Sequence, residues 1–284
     1  MKRRMISLIM ISTLVLSLAA CKKVSEPTGN DSAQNATAAP SEDQSLQYIS
    51  DKGELILGLD DSFPPMGFTD DKGDIIGFDI DLAMAVCEKL GVKLKCQPID
   101  WETKEQELKT KNIDCIWNGL SVTPERQKNM TMSKPYLTNN ISLVVASSSS
   151  IASMADMAGK KLAIQGGSSA EEALDDSTNA TFKASLAEVS PFEKYDTALM
   201  DMETGNSDAV LMDTVMANYM ITSLGKDYKV LDETLLADAY AIGFRKGDQA
   251  LCDAVDKALS ELKAEGKIDE IATKWFGEDI TTIE

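Results

Sequence analysis

Apolar and polar positions follow two periods along the chain after residue 52. GELILGL (53–59) and VKLKCQPI (92–99) are short apolar or alternating runs of strand length. Between them, DIDLAMAVCEKLG (79–91) places Leu82, Val86 and Leu90 one helical repeat apart. Asp79 and Asp81 suit the positive N-terminal end of that helix, and Gly91 stops it. DDKGD (70–74), between MGFT and IIGFDI, is a turn signal and predicts a hairpin or tight loop. TKEQELKTK (103–111) reads as a short polar helix and IDCIWNG (113–119) as a buried strand. Thr123 then caps a short helix that has Pro124 at its first position.

The order restarts further on. KKLAIQGGSSAEEALDD (160–176) is strand, glycine turn, helix; SDAVLMDTVMANYMI (207–221) is strand then helix. AYAIGFRKGD (239–248) is a strand, and the following helix carries Leu251, Val255, Leu259 and Leu262 on one side. KIDEIATKWFG (267–277) closes the pattern. Alternating strands and helices mean an α/β fold with largely parallel pairing. Two such units predict two lobes with a cleft between them, and ligands of open α/β sheets bind at the carboxyl ends of strands.

The first 45 residues do not fit this pattern. Residues 1–21 have a cationic start (Lys2, Arg3, Arg4), a short apolar stretch from Met5 to Leu18, and LAAC ending at Cys21. That is the layout of an export signal, and the apolar stretch is short for a membrane span. Residues 22–45 are poor in large apolar side chains and predict a disordered tether.

Composition narrows the function. The net charge is −18, and −21 without Lys2, Arg3 and Arg4, which disfavours nucleic acid and anionic lipid surfaces. There is no histidine, which removes Ser-His-Asp and Cys-His catalysis and His-ligated metals. No metal spacing or cofactor motif is found. Cys87, Cys96, Cys115 and Cys252 sit among apolar neighbours. They read as buried thiols, with a Cys87–Cys96 disulfide as the alternative in an exported chain.

Several polar and aromatic residues fall at strand ends. Arg126 offers a planar fork suited to a carboxylate, though an isolated loop arginine is more often a solvated charge. Asp213 opens a helix and serves equally as an N-cap. QGGSS (165–169) places helical N–H groups near Gly167 and Ser168, or is a plain capped turn; no Walker lysine follows it. Phe63 and Trp101 are site aromatics or core, and Asp60 is a site acid or a turn residue.

The segment DCIWNGLSVTPERQKNMTMSKPY (114–136) resembles the family 3 (polar amino acid) substrate-binding proteins of ABC transporters. So do GLDDSFPPMGFTDDKGDIIGFDIDLAMAVCEKLG, GKKLAIQGGSSAEEAL, GNSDAVLMDTVMANYMI and GKIDEIATKWFG, in family order. The resemblance implies a two-lobed periplasmic-binding-protein-like (type II) α/β fold, with a ligand cleft between lobes and two hinge crossovers. These fall near 137–141 and 234–238, with lobe 1 formed by 46–138 and 236–284 and lobe 2 by 139–235. It implies a carboxylate clamp by Arg126 with Ser121, and backbone donors at Gly167 and Ser168. It implies an ammonium partner in Asp213 and a carbonyl near Gly119, and a Phe63/Trp101 sandwich. Asn118 and Asp60 would meet the ligand side chain.

Residues 1–21 resemble a lipoprotein signal, with Cys21 as the lipidated residue and an ordinary signal peptide as the alternative. The implied function is capture of a free amino acid outside the cytoplasmic membrane and delivery to an ABC permease. No cofactor or nucleic acid is implied, and membrane contact is through the lipid alone. A cyclohexadienyl dehydratase on the same fold is the enzymatic alternative, with Asp60 as its best candidate acid. A sensor domain is disfavoured, since nothing after Trp275 resembles a transmembrane helix or kinase.

Overall fold

The computed structural model describes residues 43–284. The expected signal (1–21), Cys21 and most of the expected tether lie outside the described residues. The folded part starts before residue 46. Helix α1 is Ser45–Lys52, and Asp43 and Ser45 accept the main-chain N–H groups of Ala250 and Leu251. The tether boundary therefore moves back: short polar residues that looked unable to pack instead cap a distant helix.

The first stretch contains β1 (Glu54–Leu59), a small antiparallel sheet of β2 (Ser62–Phe63), β3 (Gly67–Thr69) and β4 (Ile75–Ile76), α2 (Phe78–Leu90) and β5 (Lys93–Pro98). A single turn at Trp101–Thr103 leads into α3 (Lys104–Lys109), β6 (Cys115–Ser121), α4 (Pro124–Asn129) and β7 (Met130–Met132). The long β8 (Leu137–Ala146) leads to β9 (Lys161–Gln165), α5 (Ser169–Asp175), α6 (Ala180–Ser185), β10 (Glu188–Phe192) and α7 (Tyr195–Glu203). Then come β11 (Ala209–Asp213), α8 (Thr214–Thr222), the 18-residue β12 (Tyr228–Arg245), α9 (Gln249–Ala264) and α10 (Lys267–Phe276).

The main sheet runs β10-β9-β11-β8-β12-β6-β1-β5, with β7 beside β12. β1 pairs in parallel with β5 and β6, and β9 with β10 and β11. β8 and β12 join the two parallel groups through antiparallel pairs. Largely parallel pairing was expected; these two strands depart from it because the chain crosses between groups once in each direction. The crossings pair with one another, Leu137 to Ile141 opposite Tyr240 to Leu236.

All seven residues of β6 and all five of β11 are buried. Both strands are covered on two faces, so their sequences are apolar runs rather than alternations. Helix α2 ends at Gly91 in the left-handed conformation, as its sequence requires. Asp79 differs from expectation. It lies wholly buried at the start of α2, where its Oδ2 accepts the Gly119 N–H (2.8 Å) and the Tyr136 hydroxyl (2.8 Å). Burial pushes its carboxyl up to about 7. The four described cysteines are free thiols.

Candidate functional site

Strand ends converge on one small cavity of about 10 Å³, room for about one water molecule. It is lined by Asp60, Phe63, Trp101, Asn118, Gly119, Ser121, Arg126, Gln165, Ser168, Ser169 and Asp213. A far larger concavity, about 1030 Å³, is an open groove beside α2, β5 and α10. The small cavity gathers Arg126, Asp60 and Asp213, all of them buried.

Each wall residue is delivered by a local feature. Arg126 lies in the first turn of α4, whose N–H groups are capped by Thr123 and whose first position is Pro124. Its side chain is 2% exposed. Nη1 donates to the Ser121 carbonyl (3.1 Å), and Nη2 to Glu172 (2.8 Å) and the Gly167 carbonyl (3.3 Å). Its Nε is buried with no partner among the described residues.

Asp213 ends β11 and is 4% exposed. Its Oδ1 accepts from Asn139 (2.7 Å) and from the Tyr240 hydroxyl (2.8 Å), one residue from each crossing strand. It does not cap α8, so the carboxylate is directed at the cavity. Among the described residues no cation lies within ion-pair distance of it. Burial, then the charge of neighbouring Asp238, raises its carboxyl to about 7.

Gly119 has φ +59° and needs to be glycine: a Cβ there would lie 2.8 Å from the Phe63 ring. Asn118 accepts the Asp60 N–H (3.1 Å) and so ties β6 to the end of β1. Asp60 Oδ1 accepts from Ser62, and its Oδ2 from Gln165 Nε2 (2.7 Å). The Ser121 hydroxyl donates to that of Ser169 (2.8 Å). Ser168 caps α5, accepting the Glu171 N–H. Trp101 follows β5 on a turn capped by Asp100.

Nine of the ten residues singled out from sequence thus meet on one cavity wall, and Gly167 does not. Its N–H, expected to face a ligand, donates to Glu171 Oε2 (2.7 Å). A glutamate in the first turn of a helix reaches back to the unpaired N–H groups there, and this one takes the Gly167 donor. The Gly167 carbonyl instead receives Arg126 and Lys104. Gln165 and Ser169 line the cavity but were not singled out. They flank the glycine turn within QGGSS, and that position was the one signal that pointed to them.

The sequence pattern of the bacterial extracellular solute-binding proteins, family 3, matches residues 55–278. The chain belongs to this family. The L-cystine-binding protein TcyJ of Escherichia coli (strain K12) is 28% identical over 238 residues, 83% of this chain and 87% of that protein. A histidine-bound substrate-binding protein of an ABC uptake transporter from Streptococcus pneumoniae superposes with a TM-score of 0.81 at 41% identity, covering 85% of this chain and 99% of that one. The ancestral amino acid-binding protein AncCDT-1, a precursor of cyclohexadienyl dehydratase, gives 0.74 at 31% identity, covering 81% and 99%. These likenesses make the fold that of the two-lobed binding proteins.

Proposed function

We propose that the protein binds a free amino acid outside the cytoplasmic membrane and hands it to the permease of an ABC importer. One observation carries this reading. A buried arginine and a buried aspartate face the same cavity, yet they are not ion-paired with each other. Arg126 is bridged to Glu172, and Asp213 has hydrogen bonds but no countercharge among the described residues. A dipolar ligand suits both: its carboxylate meets the guanidinium, whose Nε has no partner among the described residues, and its ammonium gives Asp213 a countercharge. Matching each charge as water leaves avoids the large penalty of an unpaired buried ion.

Asp60 stands on the same wall and favours a polar or basic side chain, with Phe63 and Trp101 flanking it. A cavity with room for about one water cannot hold an amino acid, so binding requires opening and reclosing. The lobes are residues 46–138 with 236–284, and 139–235, hinged at the paired crossings of β8 and β12. Lipidation at Cys21 would hold this receptor at the membrane face.

Calorimetry against the twenty common amino acids and cystine tests the reading. Tight binding of at least one is expected, and Arg126→Ala should weaken it by about 2–5 kcal/mol by stranding a buried carboxylate. Retained affinity in that variant removes the clamp. A dehydratase reading draws on the likeness to AncCDT-1. It requires turnover of prephenate or arogenate, where the transport reading expects none.

A further inference from the structure

We propose that Gln165 is a specificity-determining residue, which turns the side-chain end of the cavity from a seat for a guanidinium or ammonium into one for a neutral polar group. The inference rests on the amino acid reading and narrows it. Gln165 ends β9, is 2% exposed and lines the cavity with Asp60. Its Nε2 donates to Asp60 Oδ2 (2.7 Å) and to the Glu193 carbonyl (3.0 Å). Both partners are acceptors, so the orientation of the amide is fixed and both of its hydrogens are used. Its main chain is held as well. The Ser168 hydroxyl donates to the Gln165 carbonyl (2.7 Å), and Gln165 pairs with Phe192 of β10.

Asp60 is a buried carboxylate with no cation within ion-pair distance among the described residues. The nearby Lys194 ammonium is paired with Asp61 instead (2.6 Å). Neutral donors therefore meet the Asp60 carboxylate. A carboxylate offers about four acceptor positions, two on each oxygen. Ser62 fills those of Oδ1 with its N–H (2.9 Å) and its hydroxyl (2.6 Å), and Gln165 takes one on Oδ2. One position is left for a ligand. A guanidinium grips a carboxylate best through two parallel N–H···O bonds, one to each oxygen, and that approach is closed here. A single amide or hydroxyl donor fits the remaining position.

The amide also brings an acceptor of its own. Gln165 Oε1 has no partner among the described residues, and a cationic side chain could donate to it. That gain is the smaller one. Hydrogen bonds to a charged oxygen are roughly twice as strong as those to a neutral one, and the position that Gln165 occupies is on the charged oxygen. The net effect of Gln165 is to weaken the hold of the cavity on a cation. Removing it returns both positions of Oδ2 to the ligand.

The test compares L-arginine with L-citrulline, which differ in a guanidinium against a neutral urea group and share the α-carboxylate and α-ammonium. Calorimetry gives the affinity ratio of the two for wild type, Gln165→Met, Asp60→Asn and the double variant, each checked for folding by thermal melting. Gln165→Met should raise the preference for arginine about tenfold, the worth of one hydrogen bond to a charged group. In the Asp60→Asn background the same substitution should leave the ratio unchanged, because the charge that Gln165 shields is gone. A ratio that stays level or falls in Gln165→Met overturns the proposal. An equal rise with and without the Asp60 charge also overturns it, since that is a change of cavity shape. If neither wild type nor Gln165→Met binds arginine, the proposal fails, while the amino acid reading stands wherever the calorimetric screen finds another ligand. If Gln165→Met does not fold, Gln165→Ala carries the same expectation.

Discussion

Asp79 is the buried carboxyl whose energetic effect is easiest to isolate, because it lies in the core at the start of α2 and does not line the cavity. The perturbation is Asp79→Asn, which removes the charge and keeps the shape. In the folded protein burial raises the carboxyl from 3.8 to about 7. Stability from this group is thus fully present below pH 3.8 and is lost as pH rises through about 7. With about 1.4 kcal/mol per pKa unit, the full loss is about 4 kcal/mol, of which about 3 kcal/mol falls between pH 5 and pH 8. Asparagine has no such dependence. It leaves an amide where Asp79 Oδ1 has no partner, and that penalty is the same at both pH values. Urea denaturation of wild type and variant at pH 5 and pH 8 gives the double difference directly. The variant should gain about 3 kcal/mol on wild type between the two pH values. An unchanged difference would refute the claim that a buried, uncompensated charge is present at position 79.

Two further outcomes follow from the same structure. Gly167→Ala should lower ligand affinity while costing the free protein no more than about 1–2 kcal/mol of stability through backbone strain. The residue has φ +66°, and a Cβ there would lie 3.0 Å from Glu102 Cα across the lips, so the new methyl obstructs closure; calorimetry reads the affinity. Burial pushes the Cys87 and Cys252 thiols to about 12 and Cys96 to about 11. A thiol-specific chromogenic reagent should therefore label the native protein slowly and the urea-unfolded protein at once, with half-buried Cys96 reacting first.

Sequence alone determined what depends on near neighbours. The 3.6-residue spacing of Leu82, Val86 and Leu90, the stop at Gly91 and the Thr123–Pro124 start of α4 act over a few residues, and the structure has them where the pattern put them. The crossings near 137–141 and 234–238 were likewise legible, through family resemblance, and they pair with one another. The edge strand β10 and helix α6 carried no clear period and went unread, because partly exposed elements need no strict apolar stripe; α7 also went unread, although its buried Tyr195, Ala198, Leu199 and Met202 follow helical spacing.

What tertiary structure decided is where each polar group finds its partner. Asp79 read as a residue suited to the positive end of a helix, and only packing sends it inward to Gly119 and Tyr136. Gly167 looked like a donor to the ligand, and only the tertiary structure turns its N–H to Glu171 and sets two cations on its carbonyl. Lys104 looked like one more charge on a polar helix, and only the tertiary structure buries it and sets its ammonium on the Gly167 carbonyl. Periodicity records which face of an element avoids water. The partner of a buried charge is set by segments 40 to 63 residues away, and no local pattern encodes that meeting.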